Sequence, residues 1–498
     1  MAAVELADSM TPQTLWARLR RDWLVTEQAD LRWFDLVKDR LAQLEQHAAE
    51  NAFEPDARPM LLLAEREPLE FLAGFWAGLL ADWDIALANA SWGEQEWQSV
   101  SRLVSPTVTW PSTRRCRFST YTRPMPDVLE NRQSEPAILI PTGGSSGQIK
   151  FAHHTWSTLV AAAVGFCAHF YPGQPVASYC VLPLYHVSGL MQVFRTSLSG
   201  GQLVLLPFKS LLSAPPDSLP AAPLPGAFLS LVPTQLERLI RAGRSLWLSQ
   251  FYCILLGGAP PWPSLLKRAA ADRLPLCLSY GMTETAAMVT AMTPGFFRSF
   301  AAFATEQPSS LSSGYAMPHA SVQIEQAGRR LPPNEVGQVV VRSSAIAHGY
   351  YNAPSASFAK NTFYTDDLGY LDTQGELHIT GRASGKIISG GENIFPAEVE
   401  AALRSTQQVM DVCVLGLPDA EWGEVVTAAY VPASKTVSPE SLKSALVSAN
   451  AARLQLSRYK HPKRWIALPK LPRNAQGKLN RSRLLAQIKT QSSASAQG

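Results

Sequence analysis

The chain has 498 residues, 46% of them apolar and 17% charged, with a formal net charge of +4. This length suits two or more domains with a large core, and the composition is ordinary for a globular enzyme. No Lys/Arg block is dense enough for a nucleic-acid groove. The longest apolar run, Phe71 to Ala81, is about half the ~20 residues a membrane-spanning helix needs, so it reads as a buried helix. The first ten residues carry acids rather than a basic start before an apolar stretch, unlike a signal peptide. The six cysteines (Cys116, Cys167, Cys180, Cys253, Cys277 and Cys413) form no C-x-x-C pair, which argues against zinc and a disulfide framework and suits a reducing compartment. The expectation is a cytoplasmic protein that neither enters membranes nor binds nucleic acid.

In chain order, Leu15, Leu19, Trp23, Leu31, Trp33, Leu36 and Leu41 approximate a 3.6-residue spacing and predict a helical stretch over 13–50. Residues 60–130 mix apolar helix with short strands. From Ala137 a theme repeats: apolar strand, polar turn, helix. Strands are expected at Ala137 to Ile140, Val176 to Leu182, Tyr252 to Leu256 and Leu276 to Ser279. Helices are expected at Trp156 to Tyr171 and after Gly189. Such alternation implies mostly parallel sheets with helices outside, and ligands beyond the carboxyl ends of the strands. Residues 206–226 read as a surface loop. Residues 314–380, with short alternating segments between turns, suggest a small antiparallel β unit. After Gly381 the pattern is α+β, and Gln491 to Gly498 is expected to be disordered. The expected fold is α/β. A large N-terminal domain (1–383) has mixed and parallel sheets flanked by helices, plus the small β unit. A small mobile α+β C-terminal domain spans 384–498.

Four motifs carry chemistry. The first is Pro141-Thr142-Gly143-Gly144-Ser145-Ser146-Gly147-Gln148-Ile149-Lys150. Its glycines let backbone N–H groups converge on an anion, its hydroxyls add donors and its lysine adds charge. It matches neither the Walker A pattern nor G-x-G-x-x-G; a flexible loop is the alternative. The second, Ser279-Tyr280-Gly281-Met282-Thr283-Glu284-Thr285, follows a strand. Glu284 suits Mg²⁺ on a nucleotide, or Thr283 simply caps a helix whose dipole favours Glu284. The third is Thr365-Asp366-Asp367-Leu368-Gly369-Tyr370 followed by Thr380-Gly381-Arg382. An Asp there suits paired ribose hydroxyls, and a β-turn is equally natural. The fourth, Leu471 to Arg481, places Lys478 on a glycine-containing loop as a mobile point charge.

The order of all four resembles the adenylate-forming superfamily of acyl-CoA synthetases, peptide-synthetase adenylation domains and luciferases, from about residue 60 to 485. The resemblance implies ATP, Mg²⁺ and coenzyme A as cofactor and co-substrates, with a small carboxylic acid as substrate. It implies that Thr142, Gly143, Gly144, Ser145, Ser146, Gly147 and Lys150 form the phosphate loop. Gly257, Gly258 and Ala259 would lie along adenine, with Tyr280 packing against it beside Gly281. Thr283 would contact phosphate and Glu284 would hold Mg²⁺. Asp367 and Arg382 would bind ribose, and Lys478 would bridge the acid and the α-phosphate. His186, Ser188 and Gly189 match the acyl channel, Gly390 and Gly391 the CoA tunnel, and Ser384 the hinge, where the family usually has Asp. In the phosphate loop Gly143, Ile149 and Phe151 replace a Ser/Thr, the Pro and the last Gly, so phosphate binding leans more on backbone amides.

Within the superfamily three segments are most similar to o-succinylbenzoate–CoA ligases of cyanobacterial quinone synthesis. They are the loop with its continuation Phe151-Ala152-His153-His154-Thr155-Trp156, the segment Trp92 to Gln98, and Ile388 to Pro396. The resemblance implies an AMP-forming acid–thiol ligase making o-succinylbenzoyl-CoA for menaquinone or phylloquinone. Another aryl- or fatty-acid–CoA ligase, and a stand-alone adenylation protein loading a carrier, are the alternatives.

Overall fold

A computed structural model describes residues 10–26, 32–51, 53, 58–111, 135–143, 149–213, 223–293, 312–383, 385–389, 392–419, 422–450, 456, 458–473 and 479–495. Two sheets carry the N-terminal part. In the larger, the strands in spatial order are Leu24–Val25, Leu203–Leu205, Ala177–Cys180, Ala227–Leu231, Cys253–Leu256 and Leu276–Met282, all parallel. Ala287–Ala291 and Tyr315–Ala316 extend it antiparallel. The second sheet runs Val108–Trp110, Met60–Leu63, Asp84–Leu87 and Ala137–Gly143 in parallel, then Ile149–Thr155 antiparallel. Buried on both faces, these strands read as apolar runs such as Met60 to Leu63 rather than as alternation.

The helices Pro68–Leu80, Trp156–Phe170 and Val187–Ser199 share one core with both sheets. Phe71 to Leu79 are all buried, as the apolar run predicts. The expectation of helix throughout 13–50 is corrected. Pro12–Arg18 and Trp33–Glu50 are separate helices, and Leu24–Val25 between them is a strand on the edge of the large sheet. Trp23 causes the break. It is 1% exposed, its indole donates to Thr196 Oγ1 at 3.1 Å, and it packs on Trp33, so tertiary contact overrides the helical period.

The antiparallel unit predicted after 314 is a six-stranded sheet built on Ala320–Gln326, Gly337–Ser343, Thr362–Leu371 and Leu377–Arg382. The predicted loop 206–226 contains a short helix, Phe208–Ser213, which buries Leu211. Beyond Gly385, strands Ile387–Ser389, Val409–Asp419, Gly423–Pro432 and Arg464–Ala467 pack with helices around cores of their own. Of the tail expected to be disordered, residues 491–495 continue a helix, and residues 496–498 lie outside the described residues. Arg481–Ser495 is helical, and Leu484 and Ile488, one turn apart, bury themselves beside Leu468 and Leu471. Among the described residues no helix is long and apolar enough to cross a membrane.

Candidate active site

The predicted strand-end turns gather at the carboxyl ends of the parallel strands. Leu276–Met282 runs past its expected end at Ser279 and turns through a single 3₁₀ turn, Thr283–Thr285, into the antiparallel strand Ala287–Ala291. The alternative of a helix capped by Thr283 is therefore corrected. Thr285 Oγ1 accepts from Met282 N–H at 3.1 Å, and Ala286 and Ala287 adopt positive φ, so the chain reverses instead of coiling onward. The reversal presents Tyr280 on one side and Glu284 on the other.

Tyr280 Oη donates to Asp367 Oδ2 at 2.8 Å, and Arg382 Nε donates to Asp367 Oδ1 at 2.9 Å. Asp367 stands directly opposite Arg382 in the antiparallel pair Thr362–Leu371 and Leu377–Arg382. A ladder, not the β-turn considered from sequence, sets this contact. Burial, and then the Asp367 carboxylate, push the Tyr280 hydroxyl well above its ordinary range, so it remains a donor at neutral pH. Gly257 adjoins this cluster: a side-chain carbon there would lie 3.1 Å from Ser279 Oγ. Gly258 has φ +79, a left-handed conformation that glycine adopts without strain, and Gly258 and Ala259 are exposed beside it.

The second cluster holds the other half of the predicted set. Tyr350 Oη donates to Glu284 Oε1 at 2.7 Å, and Thr142 Oγ1 donates to the same oxygen at 3.5 Å. Lys150 Nζ sits 4.6 Å over the Tyr350 ring. Arg382 is close enough to Tyr350 for its charge to act on that hydroxyl, which ties the two clusters together. Burial, with the Glu284 carboxylate second, raises the Tyr350 hydroxyl far above its usual value. Tyr350 escaped the sequence reading because His348-Gly349-Tyr350-Tyr351 has neither strand nor helix period. A glycine before two aromatics was the only signal there.

His154 is the other residue that sequence reasoning left without a role. Its Nε2 lies 2.7 Å from the Thr283 carbonyl, and its Nδ1 lies 3.0 Å from Thr158 Oγ1. Because a carbonyl only accepts, Nε2 carries the proton. The imidazole thus ties the Thr283-Glu284 turn to the strand Ile149–Thr155. Burial lowers His154 from 6.5 to about 3 and the neighbouring His153 to about 4. Both are neutral in the fold but protonate near pH 6.5 when unfolded. Their contribution to stability is complete above pH 6.5 and is lost as pH falls from there toward 4. The expected slope is about 1 kcal/mol per pH unit for each histidine. Urea unfolding at pH 7, 6 and 5 measures it, and His154→Gln should flatten the dependence.

His186 precedes the helix Val187–Ser199 as its N-cap residue, its ring centroid 4.3 Å from that of Tyr185. Ser188 is exposed on the first turn, while Gly189 is buried where a side chain would strike the Pro183 carbonyl. Gly144, Ser145, Ser146, Gly147, Ser384, Gly390, Gly391 and Lys478 lie outside the described residues.

Removing the shared carboxylate of the first cluster, itself buried, leaves the half-buried Tyr280 hydroxyl and the exposed Arg382 guanidinium without their common acceptor. Asp367→Ala is expected to destabilise the fold by about 1–3 kcal/mol and to weaken nucleotide binding. Denaturant melts and ATP titration measure these, and Asp367→Asn should recover part of each.

A family model for the AMP-binding enzymes matches residues 78–351, and the model of their C-terminal domain matches residues 398–478. The chain belongs to the AMP-binding enzyme family. It is similar to the 2-succinylbenzoate–CoA ligase of Bacillus velezensis, 33% identical over 353 residues, covering 70% of this chain and 68% of the relative. The ligase of the same name from Bacillus licheniformis is 32% identical over 367 residues, 72% of each. Among solved structures, o-succinylbenzoate CoA synthetase from Bacillus subtilis in complex with its acyl-adenylate intermediate superposes with a TM-score of 0.73. Its identity is 26% over 97% of both chains. The same enzyme with ATP and magnesium ion gives a TM-score of 0.70 at 25% identity, covering 97% of this chain and 98% of that one. The α/β fold, with its large N-terminal and small C-terminal parts, is that of these AMP-binding enzymes.

Proposed function

We propose that this AMP-binding enzyme is an ATP-dependent 2-succinylbenzoate–CoA ligase acting through an acyl-adenylate. The observation that carries the reading is the convergence of Tyr280, Asp367 and Arg382 with Thr142, Lys150, Glu284 and Tyr350 around one set of strand ends. The relatives' names supply the acid. A carboxylate is a poor acyl donor, because its charge repels nucleophiles and oxide is a poor leaving group. In the first half-reaction a carboxylate oxygen attacks the α-phosphorus of ATP and pyrophosphate departs, leaving a mixed anhydride. In the second, the CoA sulfur attacks the acyl carbon and AMP leaves with its bonding pair. Both steps call for positioning and charge stabilisation more than for covalent help from the protein.

The residues divide accordingly. Asp367 and Arg382 take the ribose hydroxyls, with Tyr280 against the base. Thr142, Thr283 and Lys150 take phosphate oxygens. Glu284 fits Mg²⁺: it is a carboxylate 8% exposed whose described partners are two hydroxyls and no cation. When bound, Mg²⁺ supplies charge neutralisation on the phosphates. ATP and CoA as co-substrates fit a cytoplasmic enzyme, with quinone biosynthesis as its setting. The test is ATP–pyrophosphate exchange with 2-succinylbenzoate beside benzoate and fatty acids, followed by CoA-dependent AMP release. Exchange driven only by another acid would overturn the substrate, and AMP release indifferent to CoA would overturn the ligase.

A further inference from the structure

Tyr350 touches two oppositely charged residues of the site at once. Its hydroxyl donates to Glu284 Oε1 at 2.7 Å, and Lys150 Nζ lies 4.6 Å from the centroid of its ring. A phenol suits both contacts. The O–H is a donor for the anion, and the ring face presents the negative side of the π quadrupole to the cation.

The two charges are near enough to meet directly. Lys150 stands opposite Thr142 in the antiparallel pair Ala137–Gly143 and Ile149–Thr155, which sets their Cβ atoms about 5 Å apart on one face. Thr142 Oγ1 in turn reaches Glu284 Oε1 at 3.5 Å. An ammonium on a flexible four-carbon stem can bridge such a gap. Opposite charges this close attract strongly where water is largely excluded, and Glu284 is only 8% exposed. Yet among the described residues the partners of Glu284 are the hydroxyls of Thr142 and Tyr350, and no ion pair joins it to Lys150.

The phenol is held from several sides. Tyr350 forms an antiparallel bridge with Ala152, two residues beyond Lys150 on the same strand. His153 N–H donates to the Gly349 carbonyl at 2.9 Å, His348 N–H to the His153 carbonyl at 2.8 Å and Tyr351 N–H to the Phe151 carbonyl at 2.8 Å. Phe358 packs edge-on against the ring, with centroids 5.1 Å apart and planes at 90°. The backbone that carries Lys150 therefore also fixes the ring under it. The separation of ammonium and carboxylate is set by this pairing rather than by two long side chains.

We infer that Tyr350 is a positioning residue that holds Lys150 and Glu284 apart, so that the carboxylate is left for Mg²⁺ and the ammonium for phosphate oxygens. This rests on the roles given to Glu284 and Lys150 above. Mg²⁺ sheds its water reluctantly and needs an anionic ligand that no cation already engages. An ammonium paired with a buried carboxylate would likewise bring less charge to the phosphates.

The test titrates Mg²⁺ calorimetrically into the wild-type enzyme and its variants, each saturated with a non-hydrolysable ATP analogue. Tyr350→Leu, which removes hydroxyl and ring together, should weaken Mg²⁺ binding by about 10-fold, the low end of the coupling between close charge pairs. Combining it with Lys150→Met should recover most of that loss, because the competing ammonium is gone, while the KM for ATP rises. Tyr350→Phe keeps the ring and should bind Mg²⁺ as the wild type does. Wild-type affinity in Tyr350→Leu would overturn the inference. So would a loss that Lys150→Met does not repair, the result expected if the tyrosine only supports the fold. If Tyr350→Leu does not fold, Lys150→Met alone decides: unchanged Mg²⁺ affinity supports the spacer, and a shift in either direction overturns it. Glu284→Ala, run alongside, keeps the two readings distinct. No loss of Mg²⁺ binding there refutes Glu284 as the metal ligand, and this inference with it. A loss there beside wild-type affinity in Tyr350→Leu refutes the spacer alone.

Discussion

Glu284→Ala is expected to lower acyl-adenylate formation by about 10²–10³-fold, the range for losing one preorganised electrostatic group. Glu284 is buried at the end of a reversed strand, with Tyr350 Oη 2.7 Å and Thr142 Oγ1 3.5 Å from the same oxygen. Its two partners come from distant parts of the chain, one on the strand Ala137–Gly143 and one from the connection between the antiparallel strands Gly337–Ser343 and Thr362–Leu371. The carboxylate therefore both offers an anionic ligand and holds two walls of the site together. A second measurement separates these roles. Tyr350→Phe removes the hydroxyl but keeps the ring under Lys150, so it should cost stability about as much as one hydrogen bond, ~1 kcal/mol, and little metal affinity. Calorimetric titration with Mg²⁺ in the presence of a non-hydrolysable ATP analogue should show weakened metal binding for Glu284→Ala alone. Equal metal affinity in the two variants would show that the carboxylate serves only the fold.

The second large effect is expected at Lys478. Lys478→Ala should reduce adenylation by about 10²–10³-fold, again the effect of one lost charge donor, while thioester formation from supplied acyl-adenylate and CoA persists. The argument is chemical. Attack of a carboxylate on a phosphate brings two anions together, so a cation bridging them lowers the barrier of that step. The thiol step has no such repulsion and needs the lysine out of its path. A rotation of the C-terminal domain about a hinge, a closure of known type, is the expected way to meet both needs. Ser384 is expected to serve as that hinge, with Gly390 and Gly391 along the CoA arm. Single-turnover measurement of each half-reaction checks the expectation. Equal loss of both would remove the basis for two separate arrangements.

Much of this protein was legible in the order of its amino acids. Apolar runs flanked by Gly and Pro placed four of the parallel strands, Ala137–Gly143, Ala177–Cys180, Cys253–Leu256 and Leu276–Met282, within a few residues, because strands buried on both faces must be apolar throughout, whereas Leu24–Val25, Leu203–Leu205 and Ala227–Leu231 are too short or too weakly marked to stand out. The alternation of those strands with helices directs the expectation of ligand binding to their carboxyl ends, and Thr142, Gly257, Tyr280, Glu284 and His186 all lie there. The texture change after residue 314 marked the antiparallel sheet. These features are local, since each depends on residues within a turn or two of one another.

Contacts between distant segments were decided only in three dimensions. Trp23 interrupts a helical period because its indole reaches Thr196, 173 residues away. The run from Thr283 turns back into a strand rather than a helix because a sheet edge awaits it. Tyr350 enters the site, and His154 braces Thr283, through pairings with no sequence period. Arg195 illustrates the point most plainly. On a one-dimensional reading it is an ordinary basic residue in an amphipathic helix, and only packing shows it to be 4% exposed with its guanidinium 4.0 Å from the centre of the Phe166 ring. Sequence determines which backbone each segment prefers, through sterics and apolar period. Which side chains lose water, and which charges meet, depends on how the segments pack.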